Sequence, residues 1–200
     1  MKEFIRNTLR KFGYDIIKTG LPYIPKRKKA GVVNVGKYPV QMPGNSLQLI
    51  NYQLYPDLNV QLGRLAVSIS KKYSEMTVID VGANVGDTIA VLKSAIDLPI
   101  IAVEGDDVCY DFLQRNVQQF QNVSLVKSYL GEKSQSVSVN LEHIGWNTTI
   151  IPEEGGNRQI ILSTLDEIIV KGGFADRQLK LLKVDVEGFD TIVLRGALDI

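Results

Sequence analysis

The chain has one cysteine, Cys109, one histidine, His143, and one tryptophan, Trp146, among its 200 residues. A single thiol excludes an internal disulfide, and Cys109 reads as a small buried hydrophobe at the start of a helix, which suits a reducing compartment. A metal centre needs several convergent ligands, and no His/Cys/Asp/Glu cluster has the spacing for one. No apolar run approaches the roughly 18 residues of a membrane span, and the N-terminus lacks the continuous apolar stretch of a signal peptide, so a cytoplasmic location is expected. No Gly-x-x-x-x-Gly-Lys-Ser/Thr occurs, which excludes a P-loop. With 44% hydrophobic and 22% charged residues, the composition is that of one globular domain with a sizeable core.

Positive charge is scarce beyond the N-terminal segment. The formal net charge is +1, but residues 1–29 hold nine Lys/Arg against Glu3 and Asp15, which leaves −6 for the rest. An acidic body argues against a nucleic-acid partner, whose phosphates are gripped by clustered cations. Within the basic segment Phe4, Ile5, Leu9, Phe12 and Ile16 share one helical face, ahead of Lys26-Arg27-Lys28-Lys29. Two readings stay open: a helix packed on its own domain followed by a solvated linker, or a helix lying on an anionic membrane surface.

What is present is organised around Val78-Ile79-Asp80-Val81-Gly82-Ala83-Asn84-Val85-Gly86-Asp87-Thr88. An apolar strand stops at Gly82, and Ile89, Leu92 and Ile96 then take helical spacing. Gly82 and Gly86 let the backbone turn sharply and let a ligand approach it, while the free N–H groups of the helix start point into the same space. Upstream, Val32–Val35 and Tyr38–Met42 predict a hairpin turning at Gly36-Lys37, and Leu58, Leu62, Leu65 and Ile69 predict a helix. Asn51, Tyr52 and Tyr55 lie between them, as packing or as cover over a ligand. Downstream come a strand at Pro99–Val103, a helix through Val108, Phe112, Val117 and Phe120, and a strand at Val123–Val126. That alternation specifies a parallel sheet with right-handed crossovers. Residues 131–163 break the rhythm as an antiparallel excursion around a loop from His143 to Gly156. Thr164 and Glu167 form a capping box that opens a short helix closed by Gly172-Gly173. Leu179–Val186 is a fourth strand, and Phe189–Leu198 a last helix. No later strand covers so apolar a strand, so either the chain is cut short or another subunit, such as a second copy, covers that edge. The expected layout is a basic segment at 1–29, a hairpin and helix extension at 30–75, and a ligand-binding α/β domain at 76–200.

Three ligands suit a strand–glycine–helix corner, and the P-loop absence removes the phosphate-rich nucleotide. A dinucleotide fingerprint wants bare glycine backbone at the middle of its Gly-x-Gly-x-x-Gly, where this chain has Asn84, and Asp80 and Asp87 would repel a pyrophosphate. The same carboxylates suit S-adenosylmethionine, whose sulfonium and ammonium are cations. Glu104, 24 residues after Asp80 and at the end of the second strand, is placed to accept both hydroxyls of a ribose. In Glu104-Gly105-Asp106-Asp107 one aspartate is expected to cap the next helix, and Asp106 is also a candidate contact. Asp80 is expected to brace the glycine turn by accepting backbone N–H bonds.

DVGANVGDT, AVEGDD, STLDEI and LLKVDVEGFDTIVLRGA, in this order over roughly residues 32–200, resemble the FkbM family of S-adenosylmethionine-dependent methyltransferases. The resemblance implies a class I, Rossmann-like α/β fold with a mostly parallel sheet flanked by helices, here with an N-terminal hairpin/helix extension and a C-terminally incomplete sheet. It implies methylation of a hydroxyl on a sugar, glycolipid or secondary metabolite, so the partner is a small-molecule or glycan acceptor. By motif position Asp80, Gly82, Ala83, Asn84 and Gly86 would line the methionine side, Glu104 the ribose, and Ser128 and Tyr129 the adenine. A small residue is usual where Tyr129 stands.

For the chemistry, Asp185 is the first choice as general base or as the group orienting the acceptor, with Glu187 next. Both fall on one side of the fourth strand, and Lys183 on the same face is placed to pair with either. His143 titrates near neutrality and is a further candidate base, and Trp146 offers a ring for stacking. Rival expectations are an NAD-dependent sugar-modifying enzyme, a cofactor-binding but inactive fragment, and a membrane-recruited scaffold.

Overall fold

The structure is a computed structural model and describes residues 29–44, 46–144, 147–152, 156, 158–186 and 188–200. All of the amphipathic face expected in the basic N-terminal segment lies outside these residues, as do Trp146 and Glu187. In chain order the elements are β1 (Gly31–Val35), β2 (Tyr38–Met42), α1 (Leu47–Leu54), α2 (Val60–Ser70), β3 (Met76–Val81), α3 (Asp87–Ala95), β4 (Ile100–Glu104), α4 (Asp107–Val117), β5 (Val123–Lys127) and β6 (Tyr129–Leu130). Then follow β7 (Gln135–Ile144), β8 (Asn147–Pro152), β9 (Arg158–Ser163), α5 (Leu165–Lys171), β10 (Gln178–Val184) and α6 (Asp190–Arg195).

The α/β expectation holds. The main sheet has the order β10-β3-β4-β5, with every pairing parallel. β3 lies in its interior and is buried at all six positions, which suits its apolar and β-branched Met76, Thr77, Val78, Ile79 and Val81. Alternate residues face opposite layers. Met76 and Val78 join Ala66 of α2, Ile89 of α3 and Leu113 of α4 in one core, while Ile79 and Val81 join Leu165 and Ile169 of α5 and Val193 of α6 in the other. β10 pairs with β3 alone among the described residues, so its outer side is the open edge the sequence implied.

One irregularity in β10 decides the site. Leu179 sits opposite Thr77, but Leu181 sits opposite Val78, so Lys180 is an extra residue in the strand. A bulge shifts everything after it by one position, and a one-residue shift exchanges the faces. Lys183 therefore stands opposite Asp80 instead of Val81, on the face that Asp80 shares with Val78.

The hairpin β1–β2 forms as expected, with Val35 opposite Tyr38 and Gly36 at φ +56°. It is clipped to the sheet layer by Asn116 of α4, whose amide donates to the carbonyls of Gln41 and Val85, both at 2.8 Å, while its oxygen accepts from Gln41 N–H. The helix α1 was not expected. Ser46 caps it by accepting from Gln48 N–H, and it buries only Leu49 and Tyr52, a pattern too short to register as a helical repeat.

The antiparallel excursion is confirmed as a second sheet of order β6-β9-β7-β8. The stretch expected as a loop from His143 onward is corrected: Asn147–Pro152 is strand β8, paired with β7, and His143 lies within β7 opposite Thr148. Half of the expected capping box forms. Thr164 accepts from Glu167 N–H, whereas the Glu167 carboxylate turns outward to Lys171 at 2.7 Å. No helix among the described residues is long and apolar enough to cross a membrane.

Candidate active site

A crevice of about 390 Å³ opens at the carboxyl ends of β3, β4 and β10. Its wall includes Gly82, Asn84, Asp87, Glu104, Asp106, Ser128, Tyr129, Lys183, Asp185 and Phe189. Gln48 of α1 and Asn59, Gln61 and Leu62 around the start of α2 also line it. Parallel sheets gather ligands at this end because the strands stop there and the helix N-termini point inward.

The glycine turn forms as expected. Gly82 (φ +74°) and Gly86 (φ +88°) bracket Asn84, itself left-handed at φ +49°. A Cβ on Gly82 would lie 2.0 Å from the Asp185 carbonyl, so the close passage of the chain beyond β10 requires glycine there. Gly86 packs on Leu113, and Ala83 is buried in the core. Neither reaches the crevice wall, so of the residues assigned by motif to the methionine side, Gly82 and Asn84 face it.

Asp80 corrects the expectation. It is fully buried beneath the turn instead of lining the crevice, and it takes no backbone N–H of the turn. Lys183 Nζ binds its Oδ1 at 2.9 Å and also approaches the Gly82 carbonyl at 3.4 Å, while Asp80 Oδ2 is buried without a partner. The β10 bulge is the cause, because it brings Lys183 across from Asp80; the expected pairing with Asp185 survives only as a 3.7 Å approach. Burial works against the Lys183 ammonium, but the neighbouring carboxylates, Asp80 first, outweigh it and hold its pKa above the ordinary lysine value.

Asp87, at the start of α3, is also buried. Tyr52 of α1 donates to its Oδ2 at 2.9 Å, and Asn59 reaches the Tyr52 hydroxyl at 3.4 Å. Burial pushes the Asp87 carboxyl above the usual range, against the Tyr52 hydrogen bond and the Lys183 charge. It pushes the Tyr52 phenol far up as well, with the Asp87 charge adding to it. Tyr52 thus acts as a brace behind the crevice, not as a cover over it.

Glu104 ends β4 with both oxygens held. Oε2 accepts from Asn84 N–H and Oε1 from Asp106 N–H, each at 2.8 Å. Gly105 N–H also stabilises the carboxylate, so of its roughly four lone-pair sites about one stays open. Burial raises its pKa, opposed by the Asp106 and Asn84 N–H groups. Asp106 is the helix cap, accepting from Val108 and Cys109 N–H at 2.9 and 3.0 Å. Asp107 instead joins an exposed ion cluster with Lys127 and Arg158.

Ser128 N–H donates to the Glu104 carbonyl at 3.1 Å, which sets the loop after β5 against the end of β4. Tyr129 fits where a small residue was expected because its neighbour is glycine: a Cβ on Gly105 would lie 2.3 Å from the Tyr129 ring. Its hydroxyl is buried, has no partner, and is pushed up to about 12, first by burial and then by the Asp106 charge, so at neutral pH it keeps its proton.

Asp185 lies on the crevice wall with its side chain 70% exposed. The turn after β10 is braced by Asp190, which accepts from Val186 N–H at 3.0 Å. Two contributions went unforeseen: the Lys183–Asp80 pair, hidden behind the bulge, and the amides of Gln48, Asn59 and Gln61. The amides had no signal beyond their place before and within short helices.

The model of the methyltransferase FkbM domain matches residues 80–200, more than half of the chain and the whole of β3's end, the glycine turn, Glu104 and β10. The chain belongs to the FkbM methyltransferase family. The parallel sheet with helices on both faces is accordingly that of a class I methyltransferase, with β1, β2, α1 and α2 outside the matched residues. The structure of a protein-L-isoaspartate O-methyltransferase is similar over 64% of this chain and 42% of its own length, at 18% identity and a TM-score of 0.26, a likeness too loose to decide anything here. No curated protein sequence matches the FkbM chain.

Proposed function

We propose that this FkbM domain binds S-adenosylmethionine in the crevice and methylates a hydroxyl group of a sugar, glycolipid or secondary metabolite. The observation that carries the proposal is Glu104. Its carboxylate, on the crevice wall at the end of β4, is fixed by the Asn84 and Asp106 N–H groups and keeps acceptor capacity, the group a ribose diol needs. The residues present fit the rest of that cofactor. Four carboxylates, Asp87, Glu104, Asp106 and Asp185, face the crevice against Lys183, itself tied to Asp80, which favours a cationic ligand over a pyrophosphate. The Tyr129 hydroxyl is a buried donor with nothing to bind, next to the Ser128 loop.

When bound, S-adenosylmethionine supplies an electrophilic methyl group on a sulfonium. Gly82 and Asn84 hold the methionine side, Glu104 the ribose, and Ser128 and Tyr129 the base. Asp185 takes the proton from the acceptor hydroxyl, its exposed carboxylate lying 3.7 Å from the Lys183 ammonium. Most of the acceleration comes from positioning, since holding reactants in line removes the entropy of encounter.

Calorimetric titration with S-adenosylmethionine, S-adenosylhomocysteine and NAD tests the cofactor. Micromolar binding of the first two, with none of NAD, is expected; preference for NAD would replace this reading with the oxidoreductase one.

A further inference from the structure

Resting on that reading, we propose that the N-terminal helices α1 and α2 build the acceptor subsite, and that their neutral amides select an uncharged polyhydroxyl acceptor, a neutral glycoside, over a phosphorylated sugar. Gln48 and Gln61 line the same crevice as Asp185 and Phe189. Neither side-chain amide has a hydrogen bond within the described protein, whereas Asn59 beside them is already engaged with Tyr52. An amide offers two donors and an oxygen acceptor, which matches a sugar hydroxyl's mixed character without demanding charge.

The apolar part of the same mouth is Leu62 and half-buried Phe189, a surface for the C–H face of a ring. A few polar groups set in an apolar wall fix a ligand's orientation. The charge pattern supplies the exclusion. The cation on the crevice wall, Lys183, is neutralised by Asp80 at 2.9 Å, and Asp185 lies beside it. Among the described residues, a phosphate entering here would meet carboxylates and no further ammonium or guanidinium on the wall, a like-charge contact that disfavours the ligand. These helices lie outside residues 80–200 matched by the family, so acceptor choice is carried by the part of the chain that the family motifs leave free.

The test is calorimetry on the full chain saturated with S-adenosylhomocysteine, titrated with a panel of methyl hexopyranosides and methyl 6-deoxyhexopyranosides and with the matching sugar 1-phosphates. At least one methyl glycoside is expected to bind more tightly than every 1-phosphate. The double variant Gln48→Ala/Gln61→Ala should weaken that glycoside roughly tenfold with S-adenosylhomocysteine affinity unchanged, which also shows that the variant is folded. Gln61→Lys should move the preference toward the 1-phosphate. A 1-phosphate binding best, no glycoside binding, or an unaffected double variant overturns the acceptor assignment while the cofactor reading stands. Failure of S-adenosylhomocysteine itself to bind overturns the cofactor reading, and the acceptor assignment with it.

Discussion

The floor of the crevice and its rim are built from the same residue types and use them oppositely. On the floor, Asp80 and Asp87 are buried and bound to Lys183 and Tyr52, so their polar atoms hold β3, β10, α1 and α3 together. On the rim, Glu104 lines the crevice with acceptor capacity left beyond its backbone N–H bonds, the Tyr129 hydroxyl has no partner, and Asp185, Gln48 and Gln61 face the crevice. A carboxylate's role here follows from where its lone pairs already go, and the sequence alone does not state that. Burial is costly in both regions; on the floor the Lys183 and Tyr52 bonds offset part of it, with Asp80 Oδ2 left unpaired, whereas the rim groups turn polar atoms to the crevice.

Variants should separate the two regions. Lys183→Ala leaves Asp80 buried and uncompensated and should cost about 3–5 kcal/mol of stability by urea denaturation. A loss near zero would mean that the floor is not structural. Glu104→Gln should lower S-adenosylhomocysteine affinity by about 2–4 kcal/mol, on the order of 30- to 1000-fold, and, because its amide must set an N–H against the Asn84 or Asp106 N–H, should also cost about 1–3 kcal/mol of folding stability. Asp185→Asn should cut kcat by about 10²–10⁴ with cofactor affinity intact, and leave stability within about 0.5 kcal/mol because the side chain is exposed. Tyr52→Phe removes a donor from buried Asp87 and should cost about 1–3 kcal/mol without touching the rim.

The mildest effect is the pH dependence of the floor. Burial holds folded Asp87 above its ordinary value of 3.8, so in the acid range the folded state keeps a proton that the unfolded state releases. Stability contributed by that proton is complete below the ordinary value and is lost as pH rises through the folded one. Asp87→Asn, which still accepts from Tyr52, should therefore gain on the wild type as pH rises across that window and then run parallel to it. A constant difference at all pH values would contradict the assignment.

Much of the architecture was legible because local chemistry dictates it. The β-branched run of β3, the glycines of the turn, Asp106 as a cap and the Gly36 hairpin follow from sterics and hydrogen bonding within a few residues. Asp80 was misread because its partner depends on a bulge at Lys180, and register is a tertiary property that no pattern within β10 reveals. The buried Lys93 was not foreseen for a similar reason: its ammonium binds Asp97 and the carbonyls of Leu98 and Gln121, a clip made by two loops at once. Helix α1 escaped notice because eight residues burying two side chains give no periodicity. For Glu187 and Trp146, outside the described residues, and for the side chain of His143, the proposed roles stand on sequence alone.

The central claim is that Glu104 on the rim holds a ribose diol, and a double-mutant cycle by calorimetry tests it most directly. S-adenosylhomocysteine and its 2′,3′-dideoxy analogue would be titrated into the wild type and Glu104→Ala. The account predicts that removing the diol weakens binding to the wild type strongly and to the variant hardly at all, because the two changes delete one interaction. Equal losses in both proteins would mean that the diol is held elsewhere, and would contradict the account.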